Sequence, residues 1–264
     1  MAKRRTAMKK KRPTDACKRR GVKRFFHVLW VTTLLVSISG SGYAFFDYVR
    51  TSPNFNVQNV RVIGARLLDE TLIYEQSGIT GNENILAFNA APVKARIETL
   101  PYVKSCRVNV SFPDTISIAI VERVPVATLI HNSRAYELDA DAVVLNEFSA
   151  DDTLPTPYFT NVSGLDFVEV GQQLGHRPLR AAMSAWSEYS ATAMAQSTVI
   201  TEISPLAGDD IRMYFEELAY EIRWGRGDFT KQAQRLDILF DYLDGALGCE
   251  EYLDLRWGEQ LACK

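Results

Sequence analysis

Cysteine and histidine are scarce in this chain of 264 residues, which contains four cysteines and three histidines. No C-x-x-C pair occurs, and the G-x-S-x-G, H-E-x-x-H and Walker motifs are absent as well. His27, His131 and His176 stand apart from one another, so they suggest no nucleophile with its base. We therefore expect no catalytic residue, no cofactor site and no metal site.

Charge is absent from residues 25–46, which contain no Asp, Glu, Lys or Arg. A helix of this length spans roughly 33 Å at about 1.5 Å per residue, which matches a hydrocarbon core of about 30 Å. We predict a transmembrane helix over these residues. The small residues Gly42-Tyr43-Ala44 leave a cleaved secretory signal as the alternative, although the apolar stretch exceeds the roughly 7–15 residues of a typical signal.

Positive charge is concentrated at one end, where residues 1–24 contain twelve Lys or Arg and a single acid, Asp15. The positive-inside rule predicts that this tail is cytoplasmic. The rest of the chain contains 18 basic and 31 acidic residues, and we place it on the outer side of the membrane. No aromatic residue interrupts the tail, which favours a topology signal attracted to anionic lipid over a nucleic-acid-binding segment.

A first outer module is predicted over residues 55–124, after a linker at 47–54. Polar and apolar residues alternate on both sides of a Pro113-Asp114 turn, which predicts a hairpin with one buried face. Before it we expect a strand within residues 55–63, interrupted by a bulge or loop near Gln58, and two helices. The order β-α-α-β-β lets two helices cover one face of a three-stranded sheet.

The two helices of this module have recognisable ends. Asp69 can cap the first, expected over residues 70–76, and Gly78 can end it. The second should begin near Pro92, because proline suits the first helical turn, and Pro101 stops it.

A second module, residues 125–264, has the pattern of a mostly antiparallel β domain with two packing helices. A loop rich in proline is expected at 149–157, and the helices begin near Pro178 and Phe229. Strands are predicted at residues 127–130, 135–138, 143–145, 199–203, 211–215, 220–224 and 252–257. The whole chain is therefore assigned to the α+β class, with a single N-terminal transmembrane helix.

The cysteines of the outer part can be divided by their surroundings. Cys106 lies on the apolar parity of a strand, and we expect it in the core. Cys249 and Cys263 could form a disulfide in an oxidising compartment, but the sequence leaves this pairing open.

Four segments in order resemble a POTRA domain of the type found in the FtsQ/DivIB family of bacterial cell division proteins. They are Phe55-Asn56-Val57-Gln58-Asn59-Val60-Arg61-Val62-Ile63-Gly64, Leu100-Pro101-Tyr102-Val103, Phe112-Pro113-Asp114-Thr115-Ile116 and Val121-Glu122-Arg123-Val124-Pro125-Val126-Ala127. The later run Tyr252-Leu253-Asp254-Leu255-Arg256-Trp257 is similar to the Asp-Leu-Arg-aromatic strand that closes the β domain of this family. Residues 128–200 match only in general layout.

The resemblance implies a scaffold of the division machinery rather than an enzyme. Such a protein would lie in the inner (cytoplasmic) membrane at the division septum and bind an FtsB/FtsL pair. We expect binding by strand addition to exposed sheet edges. The predicted partner-binding residues are Glu251, Tyr252, Leu253, Asp254, Leu255, Arg256 and Trp257.

Among these residues Arg256 and Trp257 come first, because arginine and tryptophan are frequent binding hot spots. Core packing is the alternative for Leu253, Leu255 and Trp257, which lie on the same face of the predicted strand.

Two other functions are compatible with parts of the sequence. POTRA modules also occur in envelope transport and assembly proteins, but the 140 residues after this module include two helices and leave little room for barrel strands. A membrane-anchored hydrolase would need a catalytic cluster assembled from distant residues.

Overall fold

The computed structural model of the chain describes residues 15–149, 156–206, 210–225, 227–243, 248–258 and 260–264. The first 14 residues of the predicted tail and most of the predicted loop at 149–157 lie outside these ranges. The described residues form two compact units. One unit comprises residues up to Asn59 with 80–88 and 112–115, and the other comprises 60–79, 89–111 and the residues from 116 onward.

The first unit contains helix α1, Asp15–Thr51. Its segment Phe25–Thr51 is long and apolar enough to cross a membrane. The Thr33 hydroxyl donates to the carbonyl oxygen of Leu29 at 2.8 Å, so this polar group is satisfied within the helix, as a hydrocarbon environment requires. The helix thus contains all of the predicted transmembrane residues 25–46.

The end of α1 is held by a loop of the same unit. The side-chain amide of Asn84 donates to the carbonyl oxygens of Val49 and Arg50 at 3.0 and 2.8 Å. These are carbonyls that a helix end leaves without an intrahelical partner. Residues 47–51, which we expected in a linker, are therefore helical, and a short 3₁₀ helix, Pro53–Phe55, follows.

The predicted β-α-α-β-β order is present in a three-stranded sheet with two helices. Strand β3 lies between β1 and β2. The side chains of Ile116, Ile118 and Ile120 in β3 are buried, as their alternation predicted, and Cys106 of β2 is buried as well. The elements are β1 Asn59–Ile63, α2 Glu70–Ser77, α3 Ala90–Ile97, β2 Val103–Ser111 and β3 Thr115–Glu122.

Strand β1 begins later than Phe55, where the β-rich run starts. The N–H groups of Gln58 and Asn59 both donate to the carbonyl oxygen of Asp114, at 2.9 and 3.2 Å. Because two successive residues face the same carbonyl, strand alternation is interrupted at this point. This interruption explains why the alternating apolar residues lie at odd-numbered positions up to Val57 and at even-numbered positions afterwards.

Side-chain caps determine where the two helices start. Asp69 accepts a hydrogen bond from the N–H of Thr71 at 2.8 Å, which confirms the predicted cap of α2. Helix α3 starts at Ala90, before the predicted Pro92, because Asn89 caps it and accepts from the N–H of Ala91 at 3.1 Å.

The second unit also contains a nine-stranded sheet, in the order β12-β11-β10-β9-β8-β7-β4-β5-β6. Five neighbouring pairs are antiparallel and three are parallel, which confirms a mostly antiparallel domain. The strands are β4 Pro125–His131, β5 Arg134–Asp139, β6 Val144–Ser149, β7 Tyr158–Phe159, β8 Ile200–Pro205, β9 Ile211–Phe215, β10 Glu221–Trp224, β11 Tyr252–Asp254 and β12 Ala262–Cys263.

Strand β7 is an element that the sequence did not predict. It consists of two residues and pairs in parallel with both β4 and β8, so it joins the two parts of the sheet. Pro157, which favoured a loop here, takes part in the pairing, because its carbonyl oxygen accepts from the N–H of Thr128 at 3.1 Å. Proline lacks a backbone donor but keeps its acceptor.

Two helices, α4 Arg177–Ser190 and α5 Phe229–Tyr242, bury their apolar stripes in the same core as the sheet. Trp224 of β10 is fully buried there and meets the ring of Tyr189 edge to face, with 6.4 Å between ring centroids. Such aromatic pairs contribute to core stability beyond the area they bury. The predicted end of the second helix at Gly245 lies outside the described residues.

Candidate partner-binding edge

Among the residues that the structure describes, the nine-stranded sheet ends at β12 on one side and at β6 on the other. The start of β6 is covered by a loop, since Val144 donates to the carbonyl of Gln172 at 2.9 Å and accepts from the N–H of Gly171 at 2.8 Å. The side of β12 is therefore the more accessible place for an added strand.

The predicted partner-binding residues 251–257 lie one strand inside that edge. Strand β11 pairs in parallel with β10 and antiparallel with β12. Tyr252 exchanges backbone hydrogen bonds with Lys264, at 3.3 Å for its N–H and 3.1 Å for its carbonyl. We expected partners to add to an exposed edge at this segment, but the chain returns after Trp257 and β12 occupies that side of β11.

The side chains of this segment divide between core and surface. Leu253 and Leu255 are buried in the core, which agrees with the packing alternative. Trp257 shares their parity but is 63% exposed. The reason is that β11 ends at Asp254, so strand alternation does not extend to Trp257. Glu251, at the other end of the segment, is exposed.

Arg256 is held by a buried carboxylate. Its guanidinium donates to Asp254 from Nε at 2.9 Å and from Nη2 at 2.6 Å, and its backbone N–H donates to the same group at 3.0 Å. Asp254 is only 2% exposed. Burial raises the pKa of Asp254, but the hydrogen bonds and positive charge of Arg256 outweigh burial, so this pKa lies below its usual value. Arg256 is thus engaged in supporting the sheet.

Gly225 allows Arg256 to take this position. A Cβ atom at residue 225 would lie 2.9 Å from the Cβ of Arg256 and closer still to its Cγ. The aliphatic part of the arginine therefore crosses the backbone of the glycine, where any larger residue would collide with it. The sequence indicates that Gly225 interrupts the strand pattern but not that it contacts Arg256, since only the fold brings the two residues together.

Charged side chains also connect the strands next to β11. Arg212 of β9 and Arg223 of β10 are register partners, and Glu221 contacts both, at 3.4 and 2.5 Å. Arg212 also contacts Asp210 at 3.2 Å, and this hydrogen bond is the main cause of its raised pKa. The acidic groups offset the repulsion between the two arginines. Arg223 in turn lies over the ring of Tyr252, 3.9 Å from its centroid, which fixes β10 to β11.

Cys249 and Cys263 form a disulfide, with their Cα atoms 5.4 Å apart. The bridge connects the segment before β11 to β12. The pairing that the sequence left open is therefore present in the structure.

Among the residues that the structure describes, no group of three or more His, Cys, Asp or Glu side chains could hold a metal ion. The features just described are those of a β-sheet edge supported by ion pairs.

Residues 55–123 match the family described as "POTRA domain, FtsQ-type". The chain is 22% identical to the cell division protein FtsQ of Geotalea daltonii, over 96% of the chain and 93% of that protein. It is 27% identical to the FtsQ of Syntrophotalea carbinolica, over 81% of the chain and 75% of that protein. The match to the FtsQ of Corynebacterium glutamicum is shorter but reaches 37% identity, over 37% of the chain and 41% of that protein.

The chain contains an FtsQ-type POTRA domain and is similar over most of its length to proteins named cell division protein FtsQ.

The FtsQ-type POTRA domain contacts the nine-stranded sheet through two of the segments that carry the resemblance. The Tyr102 hydroxyl donates to Glu137 at 2.6 Å, and Arg123 forms a 2.6 Å ion pair with Asp139. Burial raises the pKa of Tyr102, and its hydrogen bond to Glu137 raises it further, so the tyrosine remains a donor. These residues fix the junction between the two sheets.

Proposed function

We propose that the chain is a non-enzymatic, single-pass membrane scaffold of the bacterial division machinery. Its relatives are named cell division proteins, and its N-terminal helix has the length and composition of a membrane anchor. The basic tail supports a cytoplasmic N-terminus with both sheets on the outer side of the inner membrane, at the septum.

The scaffold binds its partners by strand addition beside β12. The observation that carries this proposal is the strand order, in which β12 is the last strand on its side of the sheet. Ala262 and Lys264 face β11, as shown by their pairing with Asp254 and Tyr252. Because backbone groups alternate in direction along a strand, the N–H and carbonyl of Cys263 point away from β11 and can pair with an incoming strand, and we infer the same for Leu261, which directly precedes β12.

The partners are a pair related to FtsB and FtsL, as the resemblance implies. Within the predicted segment, Glu251 and Trp257 have exposed side chains that can meet such a partner. The residues between them contribute indirectly, because they hold β11 in place next to β12.

A proline substitution tests this edge directly. In the full chain reconstituted in nanodiscs, Leu261→Pro removes one outward N–H without removing a hydrogen bond to β11. Loss of one ladder hydrogen bond should weaken binding of the FtsB/FtsL pair by about tenfold, measured by biolayer interferometry. Leu261→Ala is the matched control, because it loses the same side-chain packing but keeps the N–H. Equal binding by the two variants would rule out this edge.

Septal localisation provides a second test. A fluorescent fusion of the full chain should collect at the division site, whereas the same fusion without residues 25–46 should not. Diffuse fluorescence from the full chain would contradict a role in division.

A further inference from the structure

We propose that the disulfide between Cys249 and Cys263 makes the β12 edge redox-sensitive: the oxidised chain presents the edge, and reduction removes it. This inference rests on the proposed function and adds a mode of regulation to the same site.

Strand β12 is attached to the sheet by its short pairing with β11, by packing of Leu261 against the core and by contacts of Lys264. It contains only Ala262–Cys263, and its neighbour Lys264 carries the remaining backbone contacts. The Lys264 carbonyl accepts from the N–H groups of Glu250, Glu251 and Tyr252, at 2.8, 2.6 and 3.3 Å. The ion pair between Lys264 and Glu251 contributes little, because the two side chains are 62% and 58% exposed. These contacts converge on one residue and can be lost together.

The disulfide fixes Cys263, the residue next to Lys264. Cys249 is buried in the core, whereas Cys263 is exposed on β12. The bridge spans a sequence separation of 14 and closes a loop that contains every predicted partner-binding residue, 251–257. Closing this loop limits how far β12 can move from β11 when its hydrogen bonds open. Without the bridge, Lys264 and β12 can leave the sheet together.

Reduction requires a dithiol, such as a protein with a reduced C-x-x-C pair. A thiolate of the reductant attacks the sulfur of Cys263, which is the exposed partner, and Cys249 leaves as a thiolate that takes up a proton. The second thiol of the reductant then attacks its own sulfur in the mixed disulfide and releases Cys263. The reductant becomes a disulfide, and the chain gains two thiols.

Hydrogen exchange on the full chain in nanodiscs tests the structural half of this inference. Treatment with dithiothreitol should accelerate exchange of the Tyr252 and Lys264 amides by about tenfold or more, since local opening sets their exchange rate. A Cys249→Ser/Cys263→Ser variant should show the same exchange without reductant. Cys106→Ser is the control, because Cys106 is buried in the three-stranded sheet and should leave these amides unchanged. Equal exchange in the oxidised and reduced chain would overturn the inference.

Binding of the FtsB/FtsL pair tests the functional half. If reduction leaves β12 in place in about a tenth of the molecules, the apparent affinity should fall about tenfold. Faster exchange with unchanged binding would overturn both the redox control and β12 as the docking edge. Unchanged exchange would overturn the redox control alone, and the comparison of Leu261→Pro with Leu261→Ala would still decide whether β12 is the edge.

Discussion

Replacing Arg256 with alanine should destabilise the nine-stranded sheet by about 3 kcal/mol. Asp254 is buried and accepts two short hydrogen bonds from the guanidinium. Removing one partner of a buried ion pair costs roughly 3–5 kcal/mol, because a charge is left without compensation. The low end of this range applies here. The Arg256 side chain is 31% exposed, and its backbone N–H continues to donate to Asp254.

Thermal unfolding of the full chain measures this effect. For a domain of roughly 150–250 residues, about 1 kcal/mol corresponds to a change in Tm of about 2–4 °C, so Arg256→Ala should lower Tm by about 6–12 °C. A double-mutant cycle with Asp254→Ala isolates the pair. The double variant should be more stable than the sum of the single changes predicts, by about 2 kcal/mol. Additive effects would refute the pairing.

This result determines how binding data at the predicted site are interpreted. A loss of partner binding in Arg256→Ala would reflect the altered sheet as much as a lost contact. Trp257 is the better probe of direct contact, because it is exposed. Its replacement by alanine removes one side-chain hydrogen bond to Asp254, so it should cost about 1 kcal/mol, less than Arg256→Ala, while weakening partner binding. Unchanged affinity would exclude Trp257 from the interface.

Three further changes test other parts of the structure. Gly225→Ala should destabilise the sheet by about 1–3 kcal/mol in urea unfolding, because the new methyl group collides with Arg256, and an unchanged midpoint would contradict this close contact. The pKa of Asp254 is lowered in the folded chain, so its stabilisation is present above an unfolded pKa of about 3.9 and is lost as the pH falls through the folded value. Asp254→Asn should therefore reduce the loss of folding stability at acid pH. The same dependence of stability on pH in both chains would argue against this linkage. Glu122 accepts hydrogen bonds from the N–H groups of residues 66–68, and these bonds outweigh burial in lowering its pKa. Glu122→Ala should speed hydrogen exchange at those three amides, with Glu122→Gln as an intermediate control. No change in either variant would show that the loop is held by other contacts.

Periodicity in the sequence predicted the parts of the fold whose burial is decided locally. In β3, alternation identified Ile116, Ile118 and Ile120 as core residues, and the structure buries all three. In α4, the helical spacing of Leu179 and Tyr189 had the same outcome. A side chain's face follows from its own position along a regular element, so a single sequence contains enough information to assign it.

The parts that the sequence could not predict depend on partners distant along the chain. Strands β7 and β12 have two residues each, which is too short for any alternation to be detected. Alternation also predicts the face of a strand but not its neighbours, so β11 appeared to be the edge. The contact of Gly225 with Arg256 likewise joins residues from two different strand ends, and no local pattern indicates it.

The short length of β12 fits a scaffold that binds through a sheet edge. An exposed edge strand can pair with any extended chain, and long, regular edges therefore favour aggregation. A strand of two residues offers few backbone groups to an unselected partner, so under the proposed function affinity would come partly from neighbouring side chains such as Trp257. The disulfide between Cys249 and Cys263 adds a covalent attachment that helps to hold this short strand on the sheet. Selectivity and dependence on the disulfide thus follow from the same feature, the length of the last strand.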